Sequence, residues 1–244
     1  MTERGRPTTG DAWGHALQAA SDGDDVDIVL ERDDGLVAVD RTQSYFAPVD
    51  DWNAADRWAL DHTRGRVLDL GAGAGRAALE LQARGQPVVA LDNSPGAVDV
   101  CRQRGVRDVV LGTVETLLTS EPATFDSVLA IGNNLGLLGS RDRAHATLDA
   151  LAAITTPDAV VVGTCIDPYA TQDPSHFAYH RRNRLQGRWP GEITLRVRYG
   201  NVATEWFDLL WCSIDELGHV CTDSPWHIAD TFDTNPYGVV LARN

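Results

Sequence analysis

The chain has 244 residues, 43% of them hydrophobic, a formal net charge of -14 and a pI near 4.7. That length supports one sizeable core with at most a small appended subdomain. The acidic balance argues against a nucleic-acid partner, which needs a cationic surface to displace counterions, and no window nears the roughly 18 consecutive apolar residues of a membrane span.

Residues 1–60 are expected to form an N-terminal helical cap. Within it "HALQAA" reads as a helix, and "VDIVLERDDGLVAVDRTQSYFAPVDDW" combines a short apolar run, a DDG turn and the pair Tyr45-Phe46. "WNAADRWALDH" reads as a second helix, because Trp52, Ala55, Trp58 and Ala59 recur near a 3.6-residue period. From Arg66 strand and helix patterns alternate. "RVLDL", "PVVALD", "RDVVLGT", "FDSVLAIGNN" and "DAVVVGTCID" are apolar strand candidates. The helices between them include one that ends at Gly85 and one that starts with Ser94 as N-cap and Pro95 at its first position. Such alternation implies a parallel sheet covered on both faces.

The rhythm breaks after Asp167, and residues 168–212 read as an insertion. "PYATQDPSHFAYHRRNRLQGRWPG" has weak apolar periodicity, and "EITLRVRYGNVATEWFDLLW" reads as two strands around a YGN turn. "SIDELGHVC" follows as a short helix with Ser213 and Glu216 at capping-box spacing. "WHIAD" and "YGVVLAR" are the closing strands.

The N-terminal "MTERGRPTTGDAWG" lacks the apolar stretch of a secretory signal. Cys101, Cys165, Cys212 and Cys221 have no CxxC spacing, so free thiols, no metal site and a cytoplasmic location are expected. The sequence contains no lysine, which excludes Schiff-base chemistry and a lysine general base.

The most informative stretch is "VLDLGAGAGR". A strand that ends in a glycine loop and opens a helix is a nucleotide-binding device, since the backbone approaches the ligand and the helix presents unpaired N–H groups. Started at Gly73, the spacing fits the G-x-G-x-x-A variant of a dinucleotide fingerprint, with Asp92 near the ribose-binding offset. Glycine spacing alone therefore leaves a nicotinamide cofactor open. Asp69 argues the other way: a carboxylate at the strand end would face a pyrophosphate, whereas a cofactor bearing an ammonium group would welcome it.

"VLDLGAGAGR" followed by "VVALDNSPGAV" and "FDSVLAIGNN" resembles the class I S-adenosylmethionine-dependent methyltransferases. The resemblance covers Tyr45 to Asp167 by motif. It implies an α/β, doubly wound, seven-stranded and mostly parallel sheet with an antiparallel last strand, an N-terminal helical cap and a hairpin-containing insertion after strand five. Residues 61–244 would be the methyltransferase domain. S-adenosylmethionine would be the cofactor and S-adenosylhomocysteine the product.

By the same resemblance Asp69 sits near the methionine ammonium, and Gly71, Ala72 and Gly73 pass close to the cofactor through their backbone. Asp92 accepts the ribose hydroxyls, with Asn93 beside the adenine. The family often places an acid after strand three to read the adenine amino group. Here Thr113 holds that slot, with Val114 and Glu115 as substitutes. Ile131, Gly132 and Asn133 run beneath the methionine part. Tyr45 and Phe46 close the pocket from the N-terminal side, Tyr45 toward the cofactor and Phe46 toward the acceptor, and Asn134 lies beside the transferring methyl.

The insertion is expected to cover the acceptor. No carboxylate lies between Asp173 and Glu192, while His176, His180, Arg181, Arg182, Arg184 and Arg188 do, followed by Arg196 and Arg198. Arginine binds carboxylate or phosphate bidentately, so the expected acceptor is a small anionic molecule held by Arg184 and Arg198, with Tyr179 lining the pocket. Pairing of these arginines with the chain's own acidic surface is the competing reading. His176 or His180 is the candidate general base. The rival functions are a nicotinamide-dependent oxidoreductase, which predicts an all-parallel sheet, and a cofactor-binding protein without transferase activity. Neither a nucleic acid nor a membrane is an expected partner, and a homodimer is the candidate assembly.

Overall fold

A computed structural model describes residues 7–119 and 124–244. The chain begins with β1 (Thr8–Thr9), α1 (Ala12–Ser21), β2 (Asp27–Arg32), β3 (Val37–Arg41) and α2 (Ala54–Asp61). The alternating stretch follows: β4 (Val67–Leu70), α3 (Arg76–Ala83), β5 (Val88–Asp92), α4 (Pro95–Gln103), β6 (Val109–Leu111), α5 (Val114–Thr119), β7 (Phe125–Ala130), α6 (Arg141–Ala153) and β8 (Thr155–Cys165). It ends with α7 (Pro174–Leu185), β9 (Glu192–Tyr199), β10 (Val202–Ala203), β11 (Phe207–Leu210), α8 (Ile214–Cys221), β12 (Trp226–Phe232) and β13 (Tyr237–Arg243).

Local chemistry sets the helix starts. The Ser94 side chain accepts from the Ala97 amide and Pro95 opens α4, where its missing N–H loses nothing. Ser213 and Glu216 cap α8 reciprocally, as their spacing predicts.

The main sheet has seven strands in the order β12-β13-β8-β7-β4-β5-β6. Strands β4 to β8 pair in parallel, and β13 runs antiparallel to both of its neighbours, β8 and β12. This is the mostly parallel sheet with an antiparallel last strand that the motifs imply, and it departs from the all-parallel ending of the oxidoreductase reading. Ala59, Leu60, Ala77 and Leu81 of α2 and α3 pack on one side of it. Leu148, Leu151, Leu217 and Val220 of α6 and α8 belong to the cluster on the other.

The cap and the insertion do not form separate layers. A six-stranded second sheet runs β1-β10-β9-β2-β3, with β11 also on β9. The expected helical cap is corrected here. Residues 27–41 form a β-hairpin across the DDG turn, because Ile28 and Leu30 alternate with outward residues and β9 supplies the partner strand. Ile28, Ile193, Leu195 and Val197 face inward onto Ala12 and Ala16 of α1 and onto Tyr179 of α7. The YGN turn joins β9 to β10, as expected. Among the described residues, no helix is long and apolar enough to cross a membrane.

Candidate active site

The glycine loop leaves β4 at the carboxyl end of the sheet. Gly71, Gly73 and Gly75 all adopt left-handed backbone, with φ of 71°, 56° and 77°, a region that disfavours any side chain. Space is also short: a Cβ on Gly71 would lie 2.6 Å from Asn134 Nδ2. The loop's carbonyls are held from outside. Asn134 donates to Leu70 and Gly71 at 3.0 and 2.8 Å, the Cys101 thiol to Gly73 at 3.2 Å, and Arg104 to Ala74 at 2.6 Å. Asn134 was expected beside the acceptor, but its amide is committed to shaping this loop. Ala72 is buried within it.

Two carboxylates flank the loop. Asp69 is 3% exposed, and its Oδ2 accepts the Ala78 amide of α3 at 3.1 Å. Burial pushes its carboxyl up to about 7, against the pull of that amide and of Arg76. Asp92 ends β5 with Oδ2 on the Gly73 amide at 2.8 Å and Oδ1 on the Ser94 amide at 2.9 Å. Burial raises it to about 6, while those two amides oppose the rise. Both acids thus titrate near neutrality, where a cationic ligand converts them to the charged form.

After β7 the chain turns through Ile131, Gly132 and Asn133, the last at φ 67°. A network absent from the sequence reading holds this turn. Asp56 of α2 is 1% exposed. Its Oδ2 takes Arg76 Nη2 at 2.6 Å, and its Oδ1 takes the Gly132 amide at 3.0 Å and the Thr164 hydroxyl at 2.9 Å. Thr164 Oγ1 in turn accepts the Asn133 amide at 3.1 Å. Asp56 therefore ties α2, α3, β7 and β8 together beside the loop. The only signal in the sequence was an acid inside an apolar-periodic helix, which ordinarily means a solvated face. Asn133 Oδ1 is buried without a hydrogen-bond partner among the described residues.

Tyr45 lies across the loop, its Cδ1 3.7 Å from the position of a Cβ on Gly73. Its hydroxyl donates to Asp40 at 2.7 Å, and Trp13 of α1 packs edge-on at 4.9 Å. Phe46 was expected at the acceptor. It instead joins the cluster of Leu17, Ala74, Ala97 and Val100, with the Arg104 guanidinium 4.9 Å from its ring, because the short helical turn ending at Tyr45 directs it toward α4.

At the expected adenine edge Asn93 is exposed and Val114 is buried. Thr113 is exposed, its amide donating to Thr116 Oγ1 of α5 at 3.1 Å. Its side chain also bonds Glu115, whose carboxyl is lowered chiefly by that contact. Thr113 and Glu115 thus share one hydrogen bond.

The insertion differs most from expectation. Arg198 meets Glu31 at 3.2 Å, and Arg196 meets the same carboxylate at 2.9 Å. Register explains it: Glu31 stands directly opposite Arg196 across β2 and β9, with Arg198 two residues on. Arg182 pairs with Asp33 at 2.7 Å and Arg188 with Glu192 at 3.1 Å. The arginine cluster is thus largely neutralised by carboxylates of this chain, as the competing reading had it. Tyr179 is not a pocket wall. It is 1% exposed beneath β9, its hydroxyl accepts the Thr194 amide at 3.1 Å, and Arg32 and Arg182 lie 4.0 and 4.5 Å from its ring. Arg184 is exposed, 6.0 Å from the Tyr169 ring. His176 and His180 both lie on α7. The His176 ring bonds the Thr171 hydroxyl at 2.8 Å. His180 is 8% exposed, and burial together with Arg184 and His176 lowers its pKa, favouring the neutral imidazole.

Residues 67–158 match the model of a family described as a methyltransferase domain. Over that span the chain is similar to a methyltransferase domain. The matched span contains the loop, Asp92 and the turn after β7. A curated relative, the ubiquinone biosynthesis O-methyltransferase of Methylocella silvestris, is 39% identical over 82 residues. The alignment covers 31% of this chain and 32% of the relative, about a third of that protein's length. A solved S-adenosylmethionine-dependent methyltransferase from Bacteroides fragilis, in complex with S-adenosyl-L-homocysteine, superposes with a TM-score of 0.81 at 23% identity. It covers 96% of this chain and 94% of its own, so the fold is shared over almost the whole chain. An amino pentose methyltransferase from Micromonospora echinaspora superposes with a TM-score of 0.51 at 22% identity, covering 78% of this chain and 87% of its own.

Proposed function

We propose that this protein transfers a methyl group from S-adenosylmethionine to a small-molecule acceptor by in-line displacement and releases S-adenosylhomocysteine. The observation that carries the reading is Asp92 bridging the glycine loop and the start of α4 within a methyltransferase domain. When bound, S-adenosylmethionine supplies an electrophilic methyl on a cationic sulfur. The chain's residues fit that cofactor. The loop offers bare backbone where a Cβ on Gly71 would collide with Asn134. The Asp92 carboxylate suits a pair of ribose hydroxyls. Asp69 and the unpartnered Asn133 Oδ1 suit an ammonium group.

Placement and water exclusion are the protein's main tasks in such a displacement, and a base is needed only where the acceptor loses its proton early. His180 is the candidate for that role, since burial and the nearby Arg184 lower its pKa and favour the neutral imidazole. The small-molecule acceptor is supported by the names of the relatives and by the acidic surface. The protein is assigned to the cytoplasm on the same reading, and a homodimer remains its candidate assembly.

Calorimetry with S-adenosylmethionine, S-adenosylhomocysteine and NAD(H) tests the cofactor directly. The first two should bind with one site per chain and NAD(H) should not; binding of NAD(H) alone would return the oxidoreductase reading. Methyl transfer to a component of a metabolite pool then separates a transferase from a cofactor-binding protein without activity.

An anionic group on the acceptor is the finer part of the proposal and rests on Arg184, whose charge no acidic partner offsets among the described residues. Arg184→Ala should raise the acceptor KM about tenfold, the scale of one lost charged hydrogen bond, with cofactor Kd unchanged. An unaltered KM removes the anionic acceptor from the reading.

A further inference from the structure

The N-termini of α1 and α4 meet at one carboxylate. Asp11 Oδ1 accepts the Gly14 amide at 2.9 Å and so caps α1. Its Oδ2 accepts the Gly96 amide of α4 at 2.9 Å. The Ser94 hydroxyl donates into the same carboxylate, 2.8 and 2.9 Å from its two oxygens. Ser94 Oγ also accepts the Ala97 amide at 3.0 Å, and the Ser94 amide donates to Asp92 Oδ1 at 2.9 Å. A run of hydrogen bonds therefore connects the Gly73 amide, Asp92, Ser94, Asp11 and α1.

The close approach requires glycine on both helices. A Cβ on Gly96 would lie 2.6 Å from Gly14 Cα, and a Cβ on Gly14 would lie 2.6 Å from Ser94 Oγ. Helix N-termini carry partial positive charge, so one carboxylate at their confluence favours both. Beyond this point α1 presents Leu17 to Ala74, Ala97 and Val100, and Trp13 to the edge of Tyr45, whose ring lies across Gly73. α1 is thus packed beside the cofactor loop through its buried Leu17 and on the second sheet through Ala12 and Ala16, and its start is tied to α4 by a polar contact.

We propose that Asp11 is a latch between the starts of α1 and α4, a positioning residue that holds the two together and, through Ser94, orients Asp92. The inference rests on the proposed cofactor. Docking of Asp11 fixes the carboxylate that receives the ribose.

Two variants test the latch in the full-length protein. Asp11→Asn keeps the shape and leaves one oxygen to cap α1, a role asparagine fills well, but its NH2 faces the Gly96 or Gly14 N–H. Gly96→Ala pushes α1 outward without touching a carboxylate and favours α4 itself. Each should raise the S-adenosylmethionine KM about tenfold, with kcat at saturating cofactor within about twofold. In the wild type, S-adenosylhomocysteine should slow amide hydrogen exchange across residues 12–21; in both variants that protection should be largely lost. Wild-type cofactor affinity in both variants, or exchange in α1 indifferent to S-adenosylhomocysteine in the wild type, overturns the latch alone. A wild type that binds neither S-adenosylmethionine nor S-adenosylhomocysteine overturns the proposed function and the latch with it.

Discussion

Asp92→Ala weakens S-adenosylmethionine and S-adenosylhomocysteine binding by at least about a hundredfold. A hydrogen bond to a charged group contributes about 1.5–3 kcal/mol, and two ribose hydroxyls on one carboxylate give about 3–6 kcal/mol, or roughly 10²–10⁴ in Kd. The substitution also strips the Gly73 and Ser94 amides of their acceptor, so the loop loses its anchor as well as its ligand contact. Asp92→Asn keeps the shape and one acceptor, and its loss should be closer to tenfold. Calorimetry on both variants decides the matter, and wild-type affinity in Asp92→Ala would falsify the ribose assignment.

The same site gives the pH dependence opposite signs with and without ligand. Asp69 at about 7 and Asp92 at about 6 both lie above the unfolded carboxylate value of 3.8. The folded apo protein therefore holds those protons more tightly than the unfolded chain. This contribution to stability is fully present below the unfolded value and is lost as pH rises through 6 and 7. A cationic ligand favours the charged carboxylates, so its affinity rises over the same interval. Thermal unfolding at pH 5, 6.5 and 8 should show the stabilising increment from S-adenosylmethionine growing with pH. A pH-independent increment would remove both acids from the cofactor site.

The largest stability effect belongs to Asp56. Asp56→Ala leaves the partly buried Arg76 guanidinium, the Gly132 amide and the Thr164 hydroxyl without their acceptor. Breaking a buried ion pair from one side costs about 3–5 kcal/mol. For a chain of this size each kcal/mol lowers Tm by roughly 2–4 °C, so the loss should be about 6–20 °C in a calorimetric scan. Adding Arg76→Met removes the stranded charge and should restore part of it. A double variant no more stable than the single one assigns the loss to the Gly132 and Thr164 bonds instead.

The main sheet was legible because its signals are local. Apolar runs, the caps at Ser94 and Ser213, and the glycines between Asp69 and Asp92 each speak within a dozen residues. The second sheet was not, because β2 pairs locally only with β3 and finds its other partner in β9, far along the chain. The arginines misled for the same reason. Glu31 and Asp33 lie far from Arg182, Arg196 and Arg198 in sequence, and only the strand pairing brings them together. Asp56 was hidden by its setting, since an acid in "NAADRW" reads as the wet face of a helix. Asp92 was legible as the acid at the end of its strand beside the glycine loop, but the hold of Ser94 on it was not, for a serine N-cap is explained by its own helix.

The seam between β2 and β9 also bears on how the protein is made. During synthesis the hairpin of β2 and β3 leaves the ribosome long before β9 exists. An isolated two-stranded hairpin is at best marginally stable in water, and pairings of such long sequence separation form slowly. The first elements of the chain are therefore among the last to find their place: the nascent chain must keep residues 27–41 uncommitted until residue 199 has been added, with Ile28, buried in the finished protein, left to be shielded by other means in the interval.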